Sequence, residues 1–294
     1  EILDLLSDEL LIVTDTKSFI GQLESHVVDV KDKNIYYPVD IQDHMDTTFK
    51  NFGHNRTQSF SLGKLSYPDT DYFLFLDADM ILKIGTLKKE SLKGPGYLIY
   101  QVNPSMKYVN IRLASAKLSW KSVGVTHEYW QSHPNCSIKT IPESQLHILD
   151  VGDGGCKDDK FERDIRLLLE GIKNETDTGL VSRYKFYLAQ SLKDCRVFDS
   201  AIEWYKKRIN DGGWEEEVWY SHYMIGKCYL GLHQKCSTLV KRLNEVKSSL
   251  DYEQLNILEK AADDSSHYED LAVRWLLAAY DRRPYRAEPL MALS

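Results

Sequence analysis

Two carboxylates one residue apart, Asp77 and Asp79, stand where an apolar run stops. Phe73-Leu74-Phe75-Leu76 is followed at once by Asp77-Ala78-Asp79 and then by Met80-Ile81-Leu82. Hard oxygen donors at this spacing suit Mg²⁺ or Mn²⁺ carried with a diphosphate. An extended chain would aim both carboxylates toward one site. The competing reading is a solvated acidic turn, and apolar flanks on both sides speak against it. A second group with chemistry follows residues 152–155 (GDGG), where Lys157, Lys160 and Arg163 add three cations to a permissive backbone. Such a loop can close over a diphosphate and balance its charge, helped by the N–H groups of a helix starting near Asp158. Read plainly instead, it is a basic, solvated helix face.

Paired acids act together only if a buried strand ends beneath them. Residues 9–14 (ELLIVT) and 71–76 (DYFLFL) are short apolar runs bounded by polar residues, the pattern of strands covered on both faces. Helical spacing over residues 49–65 joins them, giving the strand-helix-strand order of an α/β sheet. Residues 96–103 and 108–113 predict a hairpin across Pro104, whereas 120–130 and 137–149 alternate less cleanly. From Lys160 onward the pattern is helical, with turn signals at Asp211-Gly212-Gly213 and at Gly231. Ala201 with Trp204 and Gly226 with Tyr229 resemble elements of degenerate tetratricopeptide units of about 34 residues. An irregular helical bundle is the alternative. The expected organisation is an α/β domain over residues 1–158 and an α-helical, tetratricopeptide-like domain over residues 159–294.

The chain has 294 residues, more than one core usually serves, which also favours two domains. With 43% apolar and 28% charged residues its composition is that of a globular protein. A net charge of -7 argues against nucleic acid as the main partner. No apolar run reaches the roughly 18 residues of a membrane span, so a soluble, cytoplasmic or otherwise non-membrane location is expected; an upstream targeting sequence is left open. Five widely spaced cysteines without a CxxC pair fit neither a disulfide framework nor a zinc site.

On these motifs the chain resembles a known family. FLDADMIL (75–82) with FGHNRT (52–57) looks like the family-2 glycosyltransferases of GT-A fold, the Rossmann-like fold of nucleotide-diphospho-sugar transferases. Gly124-Val125-x-His127-Glu128, residues 152–168, residues 185–209 and YRAEPL (285–290) are similar to a subgroup with a helical repeat tail. The resemblance implies a metal-dependent hexosyltransferase using a nucleotide-diphosphate sugar, a UDP-hexose, with Mn²⁺ or Mg²⁺.

The same resemblance implies roles residue by residue. Asp77 and Asp79 hold the metal, with Asp79 the more direct ligand and Asp77 nearer the ribose, and His147 supplies a third ligand. Asp15 contacts the nucleobase or ribose, and Asn55 and Arg56 face the nucleotide, with Lys157, Lys160 and Arg163 on the phosphates. Glu128 is the base that deprotonates the acceptor, as an inverting transferase requires. His127 orients the acceptor or reaches the metal. Trp120, Tyr129 and Trp130 flank that base and offer faces for a sugar ring, or else belong to the core. The acceptor is a saccharide, a lipid-linked glycan or a protein hydroxyl, and the helical domain positions it or forms a homodimer. One departure stands out: Asp15-Thr16-Lys17-Ser18 lacks the glycine of the family's Asp-x-Gly-Ser run. Two rivals remain. A nucleotidyltransferase of related fold would carry a Gly-rich basic loop after its first strand, and none is visible. A non-catalytic scaffold would have no need of Asp77, Asp79 and Glu128 together.

Overall fold

The computed structural model describes residues 10–13, 49–77, 79–151 and 160–294. They divide into two compact units, Glu1–Lys157 and Asp158–Ser294. The first is built on a strand covered on both faces, β2 (Tyr72–Phe75). Phe73 and Phe75 pack on one side against Phe60 of helix α1 (Phe52–Ser66) and against Trp120 and Trp130. The Phe75 and Trp130 rings stack with centroids 3.9 Å apart. Leu74 and Leu76 enter the opposite core with Tyr97, Ile99, Leu113, Ile141, Leu146 and Ile148. Trp120 and Trp130 are therefore core residues, whereas Tyr129 is 44% exposed.

Among the described residues the main sheet has seven strands. Its further members are β1 (Leu10–Val13), β3 (Met80–Ile84), β4 (Gly96–Val102), β5 (Lys107–Ser115), β8 (Lys139–Thr140) and β9 (Leu146–Asp150). The order is β1-β2-β5-β4-β9-β3, with β8 pairing β4. Only β1 with β2, and β4 with β8 and β9, run parallel, so the sheet is mixed. A separate two-stranded ribbon pairs β6 (Ser119–Val123) with β7 (Tyr129–His133). The expected hairpin is β4 with β5. Strand β3 was not expected: the apolar stretch after Asp79 pairs with β9 at the far edge of the sheet.

Placing β3 there constrains the shape of the sheet. Phe75 and Met80 are five residues apart, a reach of at most about 18 Å, while four strand spacings in a flat sheet come to about 19 Å. The link is shorter still, because Met80 N–H donates to the Asp77 carbonyl at 3.0 Å and closes a turn. The sheet must curl, and the Asp77 turn crosses one of its faces. This corrects the expectation of an extended chain aiming both acids alike.

The second unit is helical: α2 (Lys160–Asn174), α3 (Thr178–Asp194), α4 (Phe198–Asp211), α5 (Glu215–Glu245), α6 (Tyr252–Arg282) and the short α7 (Glu288–Met291). Its core joins Phe186, Ala201, Tyr205, Ile225, Cys228 and Ala272. Helices α5 and α6 are each 31 residues long, against 14 to 17 for α2 to α4. Gly212, at a φ of 65°, ends α4 as expected. Gly231 marks no turn. It lies within α5, where an added Cβ would meet the Phe198 ring at 2.6 Å, so its role is close helix packing. Among the described residues no helix is long and apolar enough to cross a membrane.

Candidate functional site

Helix α1 starts where its orphan N–H groups find partners. The Asn51 side chain caps it by accepting from His54 N–H at 2.8 Å. Phe52 and Gly53 N–H groups donate to the Val125 and Gly124 carbonyls, both at 3.1 Å. The Thr57 hydroxyl adds a clasp, donating to the Gly53 carbonyl at 2.7 Å and accepting from Ser122 N–H at 2.9 Å. These bonds dock the end of β6 onto the helix turn that carries Arg56. The chain then reverses through Gly124 at a φ of 118° and His127 at 50°, and delivers Glu128 beside Arg56.

Arg56 joins two carboxylates. Its Nε lies 2.5 Å from Glu128 Oε1 and its Nη2 2.6 Å from Asp77 Oδ1. The other Asp77 oxygen, Oδ2, accepts from Arg112 Nη1 and Nη2, each at 3.1 Å. Arg112 belongs to a polar face built by strand alternation, with Tyr108, Asn110 and Arg112 two residues apart on β5. Gln101 on β4, opposite Tyr108 in the ladder and fully buried, ties them together. Its Oε1 accepts from Asn110 Nδ2 and Arg112 Nε, both at 3.0 Å, and its Nε2 donates to the Tyr108 hydroxyl at 3.2 Å. A buried amide satisfied on both ends rigidifies what it holds, here the guanidinium beneath the Asp77 turn.

Charge sets the protonation behaviour of this cluster. Burial alone would push the Asp77 carboxyl up, but the Arg56 and Arg112 guanidinium groups outweigh it and hold the carboxyl below its ordinary range. A depressed folded-state value means that the contribution of Asp77 to stability is complete above the unfolded carboxyl range. It is lost as pH falls through the lower folded value. Asp77→Asn should therefore flatten the fall of stability below about pH 4, as read by denaturation across an acid series; an unchanged slope would contradict the pairing. For the Tyr108 phenol, burial and then the Asp150 carboxylate push it up.

Asp79 follows on the same turn, its carbonyl accepting from Val151 N–H at 3.2 Å. Across the β3–β9 ladder Asp150 pairs with Met80, so Asp79 and Asp150 share one end of the sheet. The expected third ligand, His147, does not join them. It pairs with Lys83, three residues up the ladder, or about 10 Å of strand, and its Nδ1 faces the Glu143 carbonyl at 3.1 Å. Strand β9 runs on to Asp150, which takes the end position expected of His147. Asp77 has an arginine at each of its oxygens, Arg56 at Oδ1 and Arg112 at Oδ2. Among the described residues no group of three or more His, Cys, Asp or Glu side chains could hold a metal. The donor set suits a cation arriving on a diphosphate, which needs only one or two protein carboxylates.

The remaining expected residues fall as follows. Asn55 Oδ1 accepts from Lys50 N–H at 3.1 Å and helps shape the entry to α1. His127 is exposed. Lys160 and Arg163 lie on the first turn of α2, in the second unit, where Arg163 pairs with Asp164 at 3.3 Å. Asp15, Ala78 and Lys157, with residues 152–155, lie outside the described residues. Arg112, Gln101, Tyr108 and Asp150 were missed. Arg112 had a signal: a cation inside the run 108–113, next to apolar Leu113 and Ala114, needs a buried partner.

Gly53 tests this assembly. An added Cβ would sit 2.2 Å from the Gly124 carbonyl oxygen and 2.8 Å from that of Ser122, both backbone. Gly53→Ala should part α1 from the β6 end and cost about 1–3 kcal/mol, measured by chemical denaturation. A variant as stable as the native chain would contradict the close approach. In comparison with known proteins, the chain matches no protein-family model and no curated protein.

Proposed function

We propose that the first unit is a GT-A glycosyltransferase domain and the second a tetratricopeptide-like one. The reaction is transfer of a hexose from a nucleoside diphosphate sugar, with a uridine diphosphate sugar as the donor class, to an acceptor hydroxyl with inversion. One observation carries the reading: Arg56 joins Asp77, which opens the D-x-D turn and lies 21 residues away in sequence, to Glu128, 72 residues away. Motifs that resemble one family in sequence thus meet at one place in space.

In this reading Glu128 accepts the proton of the acceptor hydroxyl as its oxygen attacks the anomeric carbon. Tyr129, the next residue, is 44% exposed and places an aromatic side chain beside the acceptor. Asp79, with Asp150 beside it, holds the divalent cation. When bound, that cation offsets the negative charge of the departing nucleoside diphosphate. Asp77, gripped by two arginines, fixes the turn that presents Asp79.

Calorimetric titration with UDP, in Mn²⁺ and in chelator, tests the assignment. The native chain should bind UDP in Mn²⁺ more tightly than in chelator, and Asp79→Ala should abolish the difference. Equal metal dependence in Asp79→Ala would remove Asp79 from the cation site.

A further inference from the structure

The two arginines on Asp77 are held differently. Arg112, its side chain 11% exposed, is built into the sheet: it also donates to Gln101 Oε1 at 3.0 Å and to the Phe75 carbonyl at 3.4 Å. Arg56 extends from α1, its side chain is 24% exposed, and its ion pairs reach across to Asp77 and Glu128. If Arg56 swings away, Asp77 Oδ2 keeps both N–H groups of Arg112, so the carboxylate still has a cation. Glu128, its side chain 15% exposed, loses a cation and becomes available. A guanidinium also matches phosphate oxygens in a two-pronged geometry that carboxylates and phosphates compete for.

We infer that Arg56 is a latch on Glu128, holding that carboxylate while the site is empty and releasing it when a nucleoside diphosphate draws the guanidinium onto its phosphates. The inference rests on the transferase reading above and adds an order of events to it: the base is freed only after the donor is in place. A carboxylate engaged by Arg56 cannot serve an acceptor that arrives first, so the latch couples acceptor activation to donor binding. Breaking the Arg56–Glu128 pair takes free energy from diphosphate binding, because only the unlatched fraction of the chain is competent. Removing the carboxylate should return that free energy as affinity.

The test is a double-mutant cycle in UDP affinity, measured by calorimetry in Mn²⁺ on the full chain. Glu128→Gln, nearly isosteric, should bind UDP at least about fivefold more tightly than the native chain, the low end for coupled sites. In an Arg56→Met background the same substitution should change affinity less than about twofold, since no latch remains to open. Equal tightening in both backgrounds would mean that Glu128 acts only through its negative field, and would overturn the latch while leaving the transferase reading in place. No tightening by Glu128→Gln overturns the latch in the same way. Absence of UDP binding from the native chain and from Glu128→Gln alike would overturn the latch together with the reading beneath it.

Discussion

Glu128→Gln should lower sugar transfer by about 10²- to 10⁴-fold, the usual contribution of a positioned general base, while UDP binding is retained. The expectation follows from geometry. Glu128 stands at the exit of a reversal set by Gly124 and His127, both at positive φ, and is tied by Arg56 to the acid that opens the D-x-D turn. The substitution preserves shape and removes only the ability to take a proton. Initial-rate assays with saturating donor separate the two effects. Transfer at the native rate by Glu128→Gln would show that another group is the base.

Arg112→Met should destabilise the chain by about 3–5 kcal/mol, as expected when one partner of a buried pair is removed. Its loss strips Asp77 Oδ2 and Gln101 Oε1 of the guanidinium they share. Asp77→Asn combined with Arg112→Met should cost less than the sum of the two single changes, because both act on one network. Denaturation of the four proteins measures the coupling. Additive costs, or a cost for Arg112→Met below about 1 kcal/mol, would make the pair a surface contact in energetic terms.

The elements that could be read in the sequence are those whose pattern is set locally. Phe73 to Phe75 is apolar on both faces because both faces are covered, and the β4–β5 hairpin declares itself by two runs around Pro104. Asn51 caps α1 with the side-chain oxygen that such a position favours. What could not be read depends on partners far along the chain. Met80 to Ile84 looked like an apolar flank because its pairing with β9 lies more than 60 residues away. His147 was expected at a strand end that Asp150 occupies, a difference of three residues that spacing alone does not settle. The hold of Arg112 on Asp77 required knowing that the turn folds back across the sheet. Gly231 reads as a turn signal, while its lack of a side chain admits the Phe198 ring against α5.

The candidate site divides along the same line. Asp77, Asp79, Arg56 and Glu128 came from motifs, and the structure adds what links them: one guanidinium between Asp77 and Glu128. The supporting residues, Gln101, Tyr108, Arg112 and Asp150, carry no motif. They are polar groups on strands, and their role follows only once the sheet curls them beneath a turn that crosses it.

Metal-dependent use of a nucleotide-sugar donor is measured by nucleotide release from a panel of nucleoside diphosphate hexoses, in Mn²⁺ and in chelator. Release from at least one uridine diphosphate sugar should require Mn²⁺ and disappear in Asp79→Ala. No metal-dependent release from any donor in the panel would contradict the transferase reading.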